Sequence, residues 1–243
     1  MKINNISIVI PILNEEKNLI RLIKGIEDVK NQMNLNNFEI ILVDDNSTDN
    51  TCKILNNIKR KKKFVRYFIR KKKRRDLTQS LFIGFNRSLY ENIVVMDGDL
   101  QHPPRYIKKL VQVFFKNKAD VVIGSRNLLK KRGPGLNFFR YISSLFIIYI
   151  INFLLDNKTT DPLSGFFIFK KRIYKKNKKK LFGHGYKILA DIIYSCPEKL
   201  KILDCDIFFD SRKSGKSKMN LLVLLQLIIF IIKCFLIKWK IKI

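Results

Sequence analysis

The sequence predicts an α/β fold in which a mostly parallel β-sheet is flanked by helices. Apolar runs of strand length alternate with segments of helical length along the first half of the chain, a pattern typical of strands joined by crossover helices. Polar and acidic clusters follow the first, second and fourth predicted strands. Because ligands of open parallel sheets bind at the carboxyl ends of the strands, these clusters indicate one binding crevice.

The predicted strands are short and predominantly apolar, and the first, which ends at Pro11, is typical of a buried parallel strand. In chain order they are Ile6–Pro11, Phe38–Val43, Val65–Ile69, Ile93–Met96 and Ala119–Gly124. The first helix is predicted from apolar residues spaced three and four apart, and the fourth from Pro103 and Pro104 at its start. The four predicted helices are Asn14–Val29, Asn50–Lys59, Thr78–Leu89 and Tyr106–Asn117.

Composition and charge narrow the class of protein. Apolar residues make up 47% of the 243 residues, which is enough for a folded core and excludes intrinsic disorder. The 49 Lys and Arg against 20 Asp and Glu give a net charge of +29, which implies an anionic partner. The most basic stretch, residues 59–75, matches no nucleic-acid-binding module, so we interpret it as a solvated loop and helix face. The four cysteines lack metal-ligand spacing and are expected to be free thiols.

Two long apolar segments indicate contact with a membrane. The segment from Tyr141 to Leu155 is short for a full span, so we expect a buried helix or one in the membrane interface. The segment from Met219 to Ile237 has basic flanks and suits a span, an in-plane anchor or a hairpin partner of the first segment. The sequence thus predicts a domain at residues 1–218, with an interface helix at 140–156, and a membrane-anchoring helix at 219–243. Positive flanks favour the cytoplasmic face for the domain.

The sharpest local motif is Asp97-Gly98-Asp99, which directly follows the fourth predicted strand. Two carboxylates one residue apart in a tight turn suit a hard divalent cation, Mg²⁺ or Mn²⁺, that holds a diphosphate. Gln101 follows closely and can add or orient an oxygen ligand. His102 is expected to be structural, because it lies beside the proline pair.

Two further motifs stand at the ends of the first and second predicted strands. Residues 44–49, with the sequence DDNSTD, can cap the following helix, but a cap does not require both Asp44 and Asp45. Acidic residues at such strand ends bind ribose or base in nucleotide folds. Residues 11–16, with the sequence PILNEE, are a plausible helix start that lies at the mouth of the same crevice.

Taken together and in this order, the motifs P-x-x-N-E, D-D-x-S-x-D and D-x-D resemble those of the inverting glycosyltransferase family 2, whose fold is GT-A. The string from Asp97 to Pro104 narrows the resemblance to polyprenyl-phosphate sugar transferases of the dolichyl-phosphate mannose synthase type. The resemblance extends over residues 6–218. Two departures are a glycine-free loop at residues 71–79 and Asp191, where relatives often have glutamate.

The resemblance implies roles for individual residues. The nucleotide sugar would be bound by Pro11, Asn14, Glu15, Asp45, Asp97, Gln101, Arg212 and Lys218. The metal and the donor diphosphate would be surrounded by Asp97, Asp99 and Gln101. The acceptor phosphate would be received by Arg126, Arg140 and Ser144, the last two of which face one way at helical spacing. The residues expected to be catalytic are Asp97, Asp99, Arg126 and Arg212.

The implied activity is inverting transfer of a hexose, with mannose from GDP-mannose favoured, to a polyprenyl monophosphate at a membrane. UDP-glucose or another nucleotide sugar is the alternative donor. A non-catalytic basic membrane-surface protein and a degenerate transferase kept as a scaffold are further alternatives. A membrane-anchoring partner subunit is compatible with the sequence, whereas no nucleic acid is expected as a partner.

Overall fold

The computed structural model describes residues 5–72, 74–125, 147–154, 156, 158–185, 187–208, 210 and 221–238. The strands are β1 Ile6–Ile12, β2 Phe38–Asp44, β3 Val65–Ile69, β4 Asn92–Val95, β5 Val121–Ser125, β6 Phe167–Lys170 and β7 Ile202–Asp206. The helices are α1 Leu19–Gln32, α2 Thr51–Lys61, α3 Leu77–Arg87, α4 Tyr106–Lys116, α5 at residues 147–154, α6 Lys171–Asn177, α7 Ile188–Ser195 and α8 Leu221–Lys238. A 3₁₀ turn at Lys178–Lys180 follows α6.

The strands form one seven-stranded sheet in the order β3-β2-β1-β4-β6-β5-β7. The central strand β1 pairs in parallel with β2 and β4, with Ile8 opposite Ile40 and Val94. Strand β6 is antiparallel to both β4 and β5, while β5 and β7 are parallel. In the described sheet, therefore, β6 alone runs against the other strands. The predicted mostly parallel α/β sheet is confirmed.

The sheet separates two apolar layers, because successive side chains of a strand point to opposite faces. Ile8 and Ile10 of β1 pack with buried residues of α1, α2 and α4. Val9, between them, packs on the other face with residues of α3, α5, α6, α7 and α8. On that second face α3 lies very close to β1, since a Cβ on Gly84 would come within 2.2 Å of Val9 Cγ1.

The first helix begins later than the sequence predicts. It starts at Leu19 instead of Asn14, because Asn14 has a φ of +54°, which is incompatible with a right-handed helix. Residues 15–18 form a turn in which the carbonyl of Glu15 accepts hydrogen bonds from the amides of Asn18 and Leu19. Strand β5 likewise begins at Val121, because the amide of Ala119 donates to Phe114 at the end of α4.

Helices α5 and α8 form the described parts of the two long apolar segments. Within α8, Phe230 and Cys234 are buried, and the Tyr194 hydroxyl of α7 donates to the Cys234 carbonyl at 2.6 Å. Both helices also present large apolar side chains to solvent, namely Tyr149, Phe153, Leu225, Ile228, Ile229, Ile232 and Phe235. Within the residues that the structure describes, no helix has the length and apolar character needed to cross a membrane.

Candidate active site

The sheet order brings the three sequence motifs into one crevice, because β2, β1 and β4 are adjacent and parallel. The β1 and β2 ends are joined directly, since the Asn14 amide donates to Ser47 Oγ at 2.7 Å. The β1 and β4 ends are in close contact, since a Cβ on Gly98 would lie 3.0 Å from Ile12 Cγ2 and 3.5 Å from Glu15 Cγ. Residues far apart in sequence therefore form a continuous rim.

Asn14 and Glu15, predicted to bind the nucleotide, also organise this rim. The left-handed backbone of Asn14 turns its side chain toward the β2 loop, where Oδ1 accepts from the Thr48 amide at 2.8 Å. Glu15 is buried, and its Oε2 accepts from Asn18 Nδ2 at 2.7 Å. Its amide donates to Thr51 Oγ1 at 2.9 Å, which fixes the start of α2 against β1. Pro11, just before them, is a buried residue of β1.

Asp44 and Asp49 shape the loop after β2. Both Asp44 carboxylate oxygens accept hydrogen bonds from Ser47, one from its hydroxyl and one from its amide. Asp49 accepts from the Thr51 amide at 3.0 Å in a turn that precedes α2. The residue at the N-cap of α2 is Asn50, whose side chain makes no capping hydrogen bond, so the predicted cap does not come from residues 44–49. Burial opposes ionisation of Asp49, but hydrogen bonds from Thr51 outweigh it and lower the pKa of the Asp49 carboxyl. Burial and the nearby Asp44 raise the pKa of the Cys52 thiol to about 11, so this thiol is not activated.

Asp45 is held by two donors that the sequence did not reveal. Its Oδ1 lies 2.5 Å from Arg70 Nε, and its Oδ2 accepts from the Asp76 amide at 2.7 Å. Both side chains of the ion pair are at least nine-tenths buried. Each carboxylate oxygen has a second lone pair, so Asp45 can still accept from a ribose or a base. Arg70 belongs to the basic stretch at residues 59–75, and its burial is an exception to the predicted solvated face.

Asp76 anchors the end of the glycine-free loop that precedes α3. It caps α3 by accepting from the Gln79 amide at 3.2 Å. The same carboxylate accepts from the Gly185 amide at 3.2 Å and lies 3.2 Å from His184 Nδ1. Asp76 thereby joins the Asp45 side of the crevice to the segment at residues 183–185.

The D-x-D segment presents one buried and one accessible carboxylate. Asp99 is 8% exposed and accepts from the Gln101 amide at 3.1 Å. The Asp97 side chain is 38% exposed, with Oδ2 3.7 Å from His102 Nε2. The His102 ring is buried and stacks on Phe166, with 5.4 Å between centroids and 28° between planes, which fits the structural role predicted for it. The Gln101 carbonyl accepts from the Asp210 amide at 3.1 Å.

The residues at this turn fit a divalent cation of the hard, oxygen-binding kind. Mg²⁺ in proteins is commonly held by one or two carboxylates while substrate phosphates and water complete its shell. Asp97 and Asp99 supply those oxygens at a strand end that opens to solvent. Across the described ranges, no group of three or more His, Cys, Asp or Glu residues forms a metal cluster.

A hydroxyl network near the ends of β5 and β7 was missed by the sequence reasoning. Asp204 accepts from Thr159 Oγ1 at 2.6 Å and from the Thr160 amide at 2.7 Å. Thr160 Oγ1 in turn lies 2.7 Å from Ser125 Oγ, at the end of β5. Ser164 Oγ donates to the Gly124 carbonyl at 2.8 Å. These bonds fix the segment at residues 159–164 beside the strand end that leads to Arg126.

The remaining sequence-predicted residues lie outside the described part of the chain. They are Arg126, Arg140, Ser144, Arg212 and Lys218. Their roles at the acceptor and donor phosphates stay predictions.

The chain matches the sequence profile of Glycosyl transferase family 2 over residues 7–178. It belongs to this family. The matched residues run from β1 to the end of α6 and so include all three strand-end motifs. Membership confirms the family resemblance and the glycosyltransferase class that it implies.

Two proteins of similar sequence carry the name dolichol-phosphate mannosyltransferase. The protein from Pyrococcus furiosus is 32% identical over 217 residues, which are 88% of this chain and 59% of that protein. The protein from Mycosarcoma maydis is 27% identical over 224 residues, which are 88% of this chain and 73% of that protein. The chain thus spans 59% of the length of the Pyrococcus relative.

A solved structure of similar fold is glucosyl-3-phosphoglycerate synthase from Mycobacterium tuberculosis in complex with Mn²⁺, UDP-glucose and phosphoglyceric acid. The TM-score is 0.71 at 17% sequence identity, and the similarity covers 98% of this chain and 81% of that chain. The similarity supports the GT-A type of α/β fold that the family resemblance implied.

Proposed function

We propose that the protein transfers a hexose from a nucleotide sugar to a polyprenyl monophosphate, with mannose from GDP-mannose as the favoured donor. The observation that carries this proposal is the meeting of the β1, β2 and β4 motifs in one crevice, where Asp97 offers an accessible carboxylate beside buried Asp99. The names of the two dolichol-phosphate mannosyltransferase relatives support the lipid acceptor and the mannose donor.

The donor would lie along the rim from the β2 end to the β4 end. Asn14, Glu15 and Asp45 would contact the base and ribose, with Arg70 holding the Asp45 carboxylate in place. Asp97 and Asp99 would hold Mg²⁺ or Mn²⁺, which neutralises charge that develops on the departing diphosphate. Arg212 and Lys218 would add positive charge over the donor phosphates, where charge stabilisation matters most.

The acceptor would need positioning more than deprotonation. A phosphate monoester has a second pKa of about 6, so it is largely dianionic at pH 7 and already nucleophilic. Arg126 and Arg140 would bind its oxygens through paired N–H donors, and Ser144 would donate one more hydrogen bond. Attack in line with the departing diphosphate would invert the anomeric carbon.

A membrane-facing surface would serve a lipid acceptor, whose prenyl chain stays in the bilayer. The exposed apolar side chains of α5 and α8 suit burial in a membrane interface. On this proposal residues 1–218 are the catalytic domain on the cytoplasmic face, and residues 219–243 anchor it with or without a partner subunit. The basic charge of the chain would favour anionic lipid.

A UDP-sugar donor is the second candidate. The same fold binds UDP-glucose in the mycobacterial synthase, and base choice depends on loop geometry that the fold does not fix. Incubating the protein with polyprenyl phosphate and a panel of labelled GDP- and UDP-sugars tests the donor. Labelled lipid formed from GDP-mannose supports the proposal. Labelled lipid formed only from a UDP-sugar would show that the donor is that UDP-sugar and not GDP-mannose. No labelled lipid from any donor, with folded protein, overturns it.

A further inference from the structure

A cavity of about 300 Å³ opens between α7 and α8, and none of the sequence-predicted site residues lines it. This volume falls at the small end of the range of ligand sites in proteins. Most of its wall is apolar and comes from Phe182, Tyr194, Phe230 and Cys234. Two lysines, Lys180 and Lys233, also line it, and both are exposed.

The apolar wall is held in place by contacts between the elements. The Tyr194 hydroxyl donates to the Cys234 carbonyl at 2.6 Å, so α7 and α8 cannot separate without losing this bond. The Phe230 ring packs edge-on against Phe182 and Tyr194, with centroids 6.1 Å and 6.4 Å away. Lys187 is buried beneath these rings, with Nζ 4.0 Å from the Phe182 centroid and 5.0 Å from that of Phe230.

One carboxylate also lines the cavity, but its hydrogen bonds point into the wall. Asp191 accepts from the amides of Phe182 and Gly183, each at 2.9 Å, and lies 3.2 Å from Ser195 Oγ. The buried Lys187 ammonium lies close enough to Asp191 for their charges to interact. The lysines at the mouth therefore set the sign of the charge that a ligand meets. Lys233 Nζ lies 5.5 Å from the Phe182 centroid, at the edge of the apolar wall.

We propose that this cavity binds an anionic phospholipid of the bilayer, with an acyl chain against Phe182 and Phe230 and the phosphate at Lys180 and Lys233. An apolar cavity with cations at its mouth matches the two ends of such a lipid. The exposed Ile229 and Ile232 of α8 continue the apolar surface outward. The proposal rests on the membrane location in the proposed function but concerns a lipid that is not the sugar acceptor.

Flotation of the full chain with vesicles tests the charged part of the site. Phosphatidylcholine vesicles are compared with the same vesicles containing phosphatidylglycerol. The variant Lys180→Gln/Lys233→Gln should bind the anionic vesicles about tenfold more weakly than wild type. The matched variant Lys24→Gln/Lys53→Gln loses the same charge from exposed sites on α1 and α2, and it should bind as wild type does. Equal losses in both variants would overturn the proposal, because diffuse attraction would then explain binding.

A phosphatidylglycerol with a photoreactive acyl chain tests the apolar part. Crosslinks should map to α7, α8 and the Phe182 segment and should be lost in Lys180→Gln/Lys233→Gln. Crosslinks elsewhere, or competition by polyprenyl phosphate, would overturn the proposal, since competition would make this the acceptor site.

Sugar transfer in detergent is measured separately with the same variant. Its KM for polyprenyl phosphate should be unchanged, and failure of wild-type transfer would count against the proposed function alone.

Discussion

The backbone of Gly165 lies against the carboxylate of Asp97, so that a Cβ at residue 165 would fall 2.4 Å from Asp97 Oδ2 and 2.9 Å from Cγ. No side chain fits there without moving the carboxylate. The segment at residues 161–167 therefore helps to define where the accessible carboxylate of the D-x-D motif stands. This contact links the D-x-D motif to a segment that lies more than sixty residues away in the sequence.

Gly165→Ala should lower the apparent affinity for Mn²⁺ in sugar transfer. The added methyl group would push the Asp97 carboxylate away, and a small displacement of a metal ligand costs about tenfold to a hundredfold in activity or affinity. Titrating transfer activity with Mn²⁺ measures the effect, and the half-maximal concentration should rise. An unchanged Mn²⁺ titration would show that Gly165 does not position Asp97.

Gly84→Ala is the matched substitution away from the crevice. Its Cβ would meet Val9 Cγ1 at 2.2 Å, so α3 and β1 would have to separate. Overpacking of this kind costs about 1–3 kcal/mol of unfolding free energy. Chemical denaturation should show that loss while the Mn²⁺ titration of the remaining activity stays that of wild type. A higher half-maximal Mn²⁺ concentration in Gly84→Ala as well would show that the effect does not depend on the contact between Gly165 and Asp97.

Arg70→Gln should raise the KM for the nucleotide sugar about tenfold and change kcat little. Asp45 would lose its charged donor, and hydrogen bonds to charged groups contribute about 1.5–3 kcal/mol. Steady-state kinetics at varied nucleotide-sugar concentration would give KM and kcat separately. The control is Arg66→Gln, which removes an ion pair with Glu39 away from the crevice. A raised KM in the control, or none in Arg70→Gln, would contradict the role of Arg70.

Lys187 should make stability depend on pH above neutrality. Burial lowers the pKa of Lys187 to about 8, although Asp191 and Asp76 partly oppose the shift. Between about pH 8 and the ordinary lysine value near 10.4, the unfolded chain keeps a proton that the folded protein has lost. Below about pH 8 the folded protein bears the full free-energy cost of burying the charged Lys187 ammonium. This cost falls as the pH rises through that window, so the free energy of unfolding increases.

The test is the slope of unfolding free energy against pH between 8 and about 10. Lys187→Met should reduce the rise seen in wild type. Lys180→Met, at an exposed lysine of the same region, should keep it. A slope in Lys187→Met equal to that of wild type would mean that Lys187 keeps its proton in the folded protein.

The sequence predicted β1 to β5 because each is a short, predominantly apolar run that alternates with a segment of helical length. It did not predict β6 and β7. Strand β6 has four residues, and its place between β4 and β5 depends on tertiary contacts. Strand β7 has the sequence ILDCD and lies at the sheet edge, where half-exposed residues carry little apolar signal.

The candidate site, like the sheet, was predicted only in part from the sequence. The proximity of the three motifs followed from the parallel strand order, whereas the N-cap of α2 is Asn50 and not a residue of the predicted capping segment. The pairing of Asp45 with Arg70 could not be predicted, because a buried arginine is indistinguishable by sequence from its solvated neighbours in a basic run. Asp204 was also missed, since its partners Thr159 and Thr160 lie more than forty residues away.

The most direct test of the proposed function is transfer of labelled mannose from GDP-mannose into polyprenyl phosphate by wild type and by Asp99→Asn. Labelled lipid is extracted and counted with Mn²⁺ and with a chelator. We expect wild type to form mannosyl lipid only with the metal. Asp99→Asn should remain folded and form it at least about a hundredfold more slowly. Equal rates in the two proteins, or undiminished transfer with the chelator, would contradict a metal-assisted reaction at the D-x-D motif.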